Sequence, residues 1–280
     1  MMGDSSPLGS TVRLRVTRVG KSGGPQDQVV AEEPLEIRVQ TGDAPAQQLA
    51  ITMRTPGQDI ELAAGFLWGE GLLRDRDDLV SITTCKDKEL TPREQENTVV
   101  AHVRSGAPAL DRTLQRRFTV SSACGVCGST QIDDLRARGC QVVTASPLAC
   151  EQLAALPDAL RQRQRVFDRT GGLHAAGLVS PAGELVVVRE DVGRHNAVDK
   201  VVGHALMHDM LPLHGWSLVT SGRCGFEIVQ KAVAAGIGAV VCVSAPTSLA
   251  VETARAFGVT LLGFAREGTA TQYSPSPGTV

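Results

Sequence analysis

The sequence predicts an α/β protein in which a three-layer α/β/α domain with a mixed sheet follows a smaller α+β domain. Three short apolar runs after residue 210 are typical of strands covered by helices on both faces, and helical patterns separate them. The turn Ser180-Pro181-Ala182-Gly183 joins two earlier strand patterns into a hairpin. The predicted strands are 173–179, 184–189, 216–220, 239–243 and 260–264, and the predicted helices are 196–210, 226–235 and 248–257. A hairpin followed by a βαβαβ unit gives a mixed sheet.

The smaller α+β domain is predicted over residues 1–120. Its strand patterns alternate apolar and polar residues, and its one helical pattern stops near Gly69 and Gly71. Pro34 interrupts the second strand, which is therefore predicted to lie at a sheet edge or to be bulged. The predicted strands are 12–19, 29–39, 79–83 and 98–103, and the predicted helix is 60–68.

Residues 121–170 are predicted to connect the two domains, and the larger domain is predicted over 171–280. The connection follows a short strand at 118–120 and contains a cysteine-rich loop. Its predicted helices are 130–138 and 149–167, the second broken at Pro157. Both chain ends, 1–10 and 270–280, are rich in small and turn-forming residues, so we expect them to be frayed.

Composition excludes several classes of function. The 280 residues carry 28 Lys+Arg against 30 Asp+Glu, a net charge of −2, which argues against a general nucleic-acid or membrane-surface binder. Aromatic residues make up 3% of the chain, too few for base-stacking platforms. No apolar stretch approaches the roughly 20 residues of a membrane span, and the chain start has no signal-peptide pattern. Seven irregularly spaced cysteines do not form a disulfide framework, which indicates a cytoplasmic protein.

The most informative motif is Cys124-Gly125-Val126-Cys127. The two-residue gap brings both thiols together, which suits disulfide exchange, sulfur relay or metal binding. A structural zinc ion needs four ligands, and the sequence has no second Cys-x-x-Cys; His174 could add only a third ligand. We therefore predict a reactive thiol pair and no metal site, in preference to two incidental loop cysteines.

A second motif, Asp191 to Lys200, lies where a predicted strand turns into a helix. Ligands of open α/β sheets bind at such strand ends. Free N–H groups at the helix start, with Arg194, His195 and Asn196 beside them, favour a phosphate-like anion. The alternative is that Asp191 and Asn196 only cap the helix and that Asp199 pairs with a surface lysine.

Three more strand ends have similar loops. Ser221-Gly222-Arg223 precedes a helix with Glu227 in its first turn, 245–248 contains a loop and N-cap, and 264–269 follows the last strand. Together they predict one large ligand-binding rim. His174 lies at the start of the hairpin, where a histidine is more often structural than functional. Cys242 is expected to be a buried, inert thiol.

Taken together, these motifs resemble the FdhD family of sulfur carriers required for formate dehydrogenase activity, and the match runs along nearly the whole chain. The matching segments are Thr55-Pro-Gly, the helix end at Glu70-Gly71, Cys124-Gly-Val-Cys127-Gly, Gly171-Gly-Leu-His174, 190–200, Ser221-Gly-Arg223 and 244–250. The resemblance implies a cytidine-deaminase-like fold for the larger domain. It also implies a homodimer.

The resemblance further implies the chemistry. A cysteine desulfurase would load persulfide sulfur on Cys124 or Cys127, and the protein would transfer it to a bound molybdenum bis-guanine-dinucleotide cofactor before insertion into formate dehydrogenase. GDP would bind as a cofactor fragment. The family's cofactor-binding stretch corresponds here to Phe264, Ala265, Arg266, Glu267, Gly268 and Thr269. Glu267 and Thr269 depart from the more basic pattern expected there, so the contacts in this stretch are an open point.

Two other classes stay open. A dithiol oxidoreductase would use the same cysteines, although the flanking sequence lacks the aromatic residue and strand–motif–helix order of thioredoxin-like proteins. A zinc-dependent deaminase would share the fold, but its His-x-Glu signature is absent because Ala175 and Ala176 follow His174.

Overall fold

A computed structural model describes residues 9–20, 26–104 and 128–274, and this part of the chain contains three β-sheets. The strands are β1 (Thr11–Arg15), β2 (Gln26–Val30), β3 (Glu33–Thr41), β4 (Gln47–Arg54), β5 (Leu79–Thr84), β6 (Thr98–Val103), β7 (His174–Val179), β8 (Leu185–Asp191), β9 (Ser217–Thr220), β10 (Ala239–Cys242), β11 (Thr260–Arg266) and β12 (Thr269–Ser274). The helices are α1 (Asp59–Gly69), α2 (Pro92–Glu96), α3 (Gly128–Ala137), α4 (Cys150–Ala154), α5 (Leu156–Arg161), α6 (Arg165–Thr170), α7 (Arg194–Met207), α8 (Phe226–Ala234) and α9 (Ser248–Phe257), and a 3₁₀ turn spans Arg76–Asp78.

The largest sheet has six strands in the order β12-β11-β10-β9-β7-β8. Strands β9, β10 and β11 are parallel, whereas β7 runs antiparallel to both of its neighbours and β12 runs antiparallel to β11. The predicted hairpin, the βαβαβ order and the mixed sheet are confirmed.

Both faces of this sheet are covered by helices. Successive side chains of a strand point to opposite faces, and each set packs against its own group of helices. One core cluster joins Leu178, Leu218 and Val240 to apolar residues of α7, α8 and α9. The other joins Val179, Val219 and Val241 to Leu153 of α4 and Leu160 of α5. This coverage explains why the parallel strands are continuous apolar runs in the sequence.

The four-stranded sheet has the order β4-β3-β6-β5 and packs its apolar face against α1. The prediction for Pro34 was wrong about the edge, since β3 lies between β4 and β6. Pairing with β6 begins only at Glu36, so Pro34 needs no N–H on that side. A bulge does occur in β3, but at Ile37/Arg38.

Helices α1 and α7 join the two sheets. A Cβ on Gly65 would overlap the carbonyl oxygen of Asp199, and a Cβ on Gly203 would overlap that of Glu61. The backbones therefore touch at these two glycines. This contact fixes α7, and with it the adjoining strand ends, against the smaller sheet.

Several predictions need correction. Residues 269–274 form β12 rather than part of a frayed end, because the hairpin after β11 adds them to the large sheet. The helical stretch predicted over 149–167 consists of three short helices, α4, α5 and α6. Pro157 lies in the first turn of α5, and Gln164 is the N-cap residue of α6. The strand expected at 118–120 lies outside the described residues. The domain boundaries at 120 and 170 and the deaminase-like comparison stay predictions. No helix in the described part of the chain is both long and apolar enough to cross a membrane.

Candidate functional site

The loops at one end of the six-stranded sheet form a rim, which we define as residues 192–194, 221–225, 243–248 and 264–269. Parallel pairing of Cys242 with Thr220 and of Val241 with Leu262 places the carboxyl ends of β9, β10 and β11 together. Strand β8 ends on the same side, because Asp191 pairs with His174 at the start of β7. The sequence-predicted convergence of four strand ends is thus present.

Backbone hydrogen bonds tie the second and third loops of the rim together. The Cys224 N–H donates to the Ala245 carbonyl at 3.2 Å, and the Thr247 N–H donates to the Cys224 carbonyl at 3.0 Å. The Phe264 N–H donates to the Ser244 carbonyl at 3.2 Å. The rim is therefore a connected frame, on which ligand-binding side chains can be held in place.

A cavity of about 510 Å³ opens on this rim. His174, Ser221, Ala265 and Arg266 line it from the sheet side, and α5 and α6 line it from the other side. The Ser221 hydroxyl accepts the Ala175 N–H at 2.8 Å, which leaves its own proton available to a ligand. We call this space the rim cavity. Its size is that of a typical small-molecule site.

Arg194 and Gly222 lie beside His174. A Cβ on Gly222 would stand 3.2 Å from the His174 Nδ1 and 3.7 Å from the Arg194 Cδ, so glycine allows both side chains to approach the loop. The Arg194 Nε is buried and has no hydrogen-bond partner in the described part of the chain. A buried donor without a partner costs free energy, and an anionic ligand would relieve that cost.

His174 is half-buried, and its environment favours the neutral imidazole. Burial lowers the pKa of His174, and the nearby charges of Arg194 and His195 lower it further. His195 itself is paired with Glu227, its Nε2 lying 2.8 Å from the carboxylate. That hydrogen bond lowers the pKa of Glu227, although burial opposes the change. His195 thus already has a partner, whereas His174 faces the rim cavity.

The Asn196 amide is hydrogen-bonded within the protein. Its amide nitrogen donates to the Met53 carbonyl at 2.8 Å and to the Asp191 Oδ1 at 2.9 Å, and its amide oxygen accepts the Thr52 hydroxyl at 3.3 Å. These contacts use the amide to join α7 to β4. The prediction that Asn196 binds the cofactor is therefore not supported by its contacts, and neither is the alternative that it caps the helix, since the N-cap is Gly193.

The buried centre of the motif is an ion pair between Asp191 and Lys200. The Lys200 Nζ lies 2.7 Å from the Asp191 Oδ2, and the two side chains are 1% and 0% exposed. Lys200 also donates to the Thr55 carbonyl at 3.0 Å, and the Thr55 N–H donates to Asp191 at 3.2 Å. The pair therefore fixes the turn after β4 to the end of β8, and its role is structural.

Asp199 pairs with a lysine, as the capping alternative expected, but with Lys231 of α8, which is buried rather than on the surface. The Lys231 Nζ lies 2.7 Å from the Asp199 Oδ1. Burial raises the pKa of Asp199 to about 6, against the opposing effect of Lys231. Glu227 does lie in the first turn of α8, as predicted.

The stretch 264–269 forms the hairpin between β11 and β12. Glu267 and Gly268 have φ of 50° and 71°, the left-handed pair of a tight two-residue turn. The Thr269 hydroxyl donates to the Arg266 carbonyl at 3.0 Å. Ala265 is buried and Phe264 is 47% exposed. Arg266 makes no ion pair with the described residues, so its charge is available to a ligand of the rim cavity.

The predicted residues thus divide into four groups. His195 and Asn196 already have partners within the protein. Those that line the rim cavity or lie beside it are Ser221, Gly222, Ala265, Arg266 and Arg194. Those on the rim but outside the cavity lining include Arg223, Phe264, Glu267, Gly268 and Thr269, and Arg223 is exposed. Cys124 and Cys127 lie outside the described residues, and α3 begins at the residue after Cys127.

Among the cysteines that are described, Cys224 of the rim and Cys242 at the end of β10 are fully buried. A hydrogen bond with Cys242, together with burial, raises the pKa of the Cys224 thiol. The Cys242 thiol donates to the Ser244 carbonyl at 3.0 Å and to the Leu262 carbonyl at 3.3 Å. Its predicted burial is confirmed. No cluster of three or more metal-ligating side chains occurs in the ranges that the structure describes.

Sequence reasoning missed a group of arginines near the rim: Arg163, Arg165 and Arg169, with Arg189 on β8. The sequence does contain a signal for a cationic surface, because 161–169 has four arginines within nine residues. The pattern predicts only a helical connection for that segment. The arginines line a second cavity, of about 660 Å³, together with the turn 55–58.

The fold and the rim define an α/β protein with polar and cationic loops gathered at the carboxyl ends of its parallel strands, where the ligands of such sheets bind. A family model described as FdhD/NarQ family matches residues 30–278, and the chain belongs to that family. The predicted resemblance is confirmed.

Relatives match along nearly the full length. The sulfur carrier protein FdhD of Streptomyces avermitilis is 48% identical, over 94% of this chain and 94% of its own. The sulfur carrier protein FdhD of Nocardia farcinica is 45% identical, over 94% and 93%. A crystal structure from Desulfotalea psychrophila, provisionally assigned as a formate dehydrogenase accessory protein, has a TM-score of 0.72, 22% identity, and coverage of 97% of this chain and 99% of its own. At that identity the match shows a shared fold.

Proposed function

We propose that this protein is a sulfur carrier for formate dehydrogenase. It accepts persulfide sulfur from a cysteine desulfurase on Cys124 or Cys127 and transfers it to the molybdenum bis-guanine-dinucleotide cofactor, which it binds as a substrate at the rim. The observation that carries this proposal is the near full-length match, at 45–48% identity, to proteins named sulfur carriers. The Cys124-Gly-Val-Cys127 motif supplies the thiols that such a function requires.

The thiol pair can complete the reaction without a further catalytic group. In the loading step, a thiolate of the pair attacks the sulfane sulfur of the desulfurase persulfide, and the desulfurase cysteine leaves as a thiolate. In the release step, the second thiolate attacks the cysteine sulfur of the new persulfide. A disulfide forms, the sulfane sulfur leaves as sulfide with the electron pair, and that sulfide becomes a ligand of the metal. An external dithiol then reduces the disulfide.

The rim suits the second substrate because it offers cationic groups without protein partners. The buried Arg194 Nε has no partner among the described residues, and Arg266 has no carboxylate paired with it there. Each could donate to phosphate oxygens, and a hydrogen bond to a charged group is about twice as strong as a neutral one. Ser221 adds a hydroxyl donor.

The proposal requires a cysteine desulfurase as sulfur donor and formate dehydrogenase as client. We further propose that the protein acts as a homodimer in the cytoplasm. The seven irregularly spaced cysteines, which do not form a disulfide framework, favour this location. Cross-linking and sedimentation of the purified protein test the dimer independently of the sulfur chemistry.

The decisive test is intact-mass analysis after incubation with a desulfurase and cysteine. Wild type should gain the mass of one or more sulfur atoms, and Cys124→Ala/Cys127→Ala should gain none. The matched control is Cys140→Ala/Cys150→Ala, which removes the same number of thiols at described, partly buried positions and should load as wild type does. Unchanged loading of the Cys124→Ala/Cys127→Ala variant, or loading mapped to Cys224 or Cys242, would refute the proposal.

A further inference from the structure

A cavity of about 500 Å³ lies on the face of the four-stranded sheet that points away from α1. Leu35 of β3 packs toward α1, so its neighbour Glu36 points to the opposite face. Ile51 of β4 and Thr98 of β6 pair with Glu36 on either side and line the cavity with it. Residues of the segment 90–97, which contains α2, complete the wall, and we call this space the acidic cavity.

Three carboxylates line the acidic cavity, and one of them has no cation paired with it. Glu33 is paired with Arg93, and Glu36 is paired with Arg38. Glu94 makes no ion pair within the described ranges, and its carboxylate accepts two hydrogen bonds from the N-cap residue of α2, at 2.7 and 2.6 Å. These hydrogen bonds lower the pKa of Glu94, so the carboxylate stays ionised at neutral pH. The wall therefore has an excess of negative charge.

Asn97 supplies a buried acceptor that no described protein group uses. The residue is 8% exposed and lines the acidic cavity together with Glu33. Its amide nitrogen donates to the Glu33 carboxylate at 3.4 Å, whereas its amide oxygen has no hydrogen-bond partner in the described part of the chain. The opposite amide orientation would place the oxygen against that carboxylate, so the observed one is favoured. A buried acceptor without a donor costs free energy, and a ligand that carries a donor would relieve that cost.

The rest of the lining is mostly apolar and selects the kind of donor. Pro34, Ile51 and Leu90 line the cavity, and Ile51 is 54% exposed, so a hydrocarbon chain could cover it. A guanidinium group binds best to a pair of carboxylate oxygens, and Arg38 already occupies both oxygens of Glu36, at 2.8 and 3.2 Å. A primary ammonium is compact and has three donors, which suits separate acceptors such as one amide oxygen and one carboxylate.

We propose that the acidic cavity binds a primary alkylammonium group. The ammonium donates to the Asn97 amide oxygen, the charge of Glu94 attracts it, and its hydrocarbon chain packs on Pro34, Ile51 and Leu90. A free aliphatic amine and the lysine side chain of another protein carry the same group, and the probes named next distinguish these two sources. No residue that lines the rim cavity lines the acidic cavity, so this site goes beyond the proposed sulfur transfer.

Calorimetric titration of the full-length protein at neutral pH tests the site with two probes, cadaverine and a lysine blocked at both ends. Wild type should bind one probe molecule per chain, and Asn97→Leu should bind it at least about tenfold more weakly. The Tm of Asn97→Leu without amine should stay close to that of wild type, because the lost oxygen has no partner in the described part of the chain. Tetramethylammonium carries the charge without an N–H donor and should bind at least about tenfold more weakly than cadaverine.

Two glutamates of α2 provide a matched pair of variants that leaves Asn97 intact. Glu94→Gln removes the unpaired charge of the cavity wall and should weaken cadaverine binding about twofold to fivefold. Glu96→Gln removes the same charge from the same helix at a position outside the cavity lining, and the affinity should not change.

Each outcome decides for or against the site. Tighter binding of the blocked lysine than of cadaverine supports the site with a protein lysine as its source, and the reverse order supports it with a free amine. Absence of binding of both probes to wild type overturns the inference, and so does equal affinity of wild type and Asn97→Leu. Tetramethylammonium binding as tightly as cadaverine, or equal weakening by Glu94→Gln and Glu96→Gln, would indicate general electrostatic attraction and would also overturn it.

Discussion

The segment 191–200 has two faces that differ in one respect: whether their polar groups are satisfied by the protein. On the inner face, Asp191, Asn196 and Lys200 are buried, and each is bonded to the end of β4 or the turn after it. On the outer face, Arg194 borders the rim with a buried nitrogen that has no partner among the described residues. One dense polar motif thus contains a structural half and a half that keeps a buried donor free for a ligand. Hydrogen-bond partners distinguish them.

The largest effect should follow from breaking the inner face. Lys200→Met leaves the Asp191 carboxylate buried without its countercharge, and we expect the free energy of unfolding to fall by about 3–5 kcal/mol. Urea denaturation measures this change. Arg223→Ala, an exposed position on the rim, is the control and should stay within about 0.5 kcal/mol of wild type. Equal stability of Lys200→Met and wild type would contradict the structural role.

The next effect concerns Asp199 and pH. Because burial raises the pKa of Asp199 to about 6, above its unfolded value, the folded state binds the proton more tightly. The Asp199 contribution should therefore lower the free energy of unfolding as pH rises from about 4 to 6, by an amount on the order of 2–3 kcal/mol. Asp199→Asn should flatten this part of the pH–stability curve. Parallel curves for the two proteins would show that Asp199 is not responsible.

Asn196→Ala tests whether a single inner-face residue contributes to stability and not to GDP binding. It removes three hydrogen bonds to β4 and Asp191, so the free energy of unfolding should fall by about 1–3 kcal/mol. The GDP dissociation constant of the folded protein should change less than about twofold, because protein groups already bind the amide. Calorimetry checks the affinity. A loss of GDP binding in a folded Asn196→Ala protein would return this residue to the binding site.

The smallest effect on stability should come from the outer face. Arg194→Ala/Arg266→Ala removes two side chains that have no ion pair within the described ranges, and the Tm without ligand should stay close to that of wild type. The rise in Tm caused by GDP should decrease, since a tenfold weaker affinity removes about 1.4 kcal/mol of stabilisation at saturating ligand. Differential scanning fluorimetry across a GDP series measures both quantities. An undiminished GDP response would remove these arginines from the rim site.

Much of the fold could be predicted because its signals are local. The apolar runs of β9, β10 and β11 and the hairpin at 180–183 needed only periodicity and turn chemistry. Pro34 could not be placed, because its position depends on where β6 begins to pair, a long-range fact. The strand β12 was missed because Gly-, Ser- and Thr-rich ends are usually frayed, and only pairing with β11 orders this one.

The sequence predicts which residues gather at the candidate site better than it predicts the partners of their side chains. Strand ends identified the rim, but of the neighbours Arg194 and Asn196 only Asn196 is hydrogen-bonded to β4, which lies over 140 residues earlier in the chain. The second cavity depends on the turn after β4, which forms part of its lining. Its four arginines come from two separate segments, so no local motif could bring them together.

The most direct test of the account is formate dehydrogenase activity in cells that lack this gene and are complemented with Arg194→Ala/Arg266→Ala. The account predicts a variant that is folded at wild-type levels, takes up sulfur from the desulfurase normally, and gives little or no formate dehydrogenase activity. Complementation with Cys140→Ala/Cys150→Ala should restore activity. Wild-type activity with Arg194→Ala/Arg266→Ala would contradict the claim that these outward-facing arginines bind the cofactor.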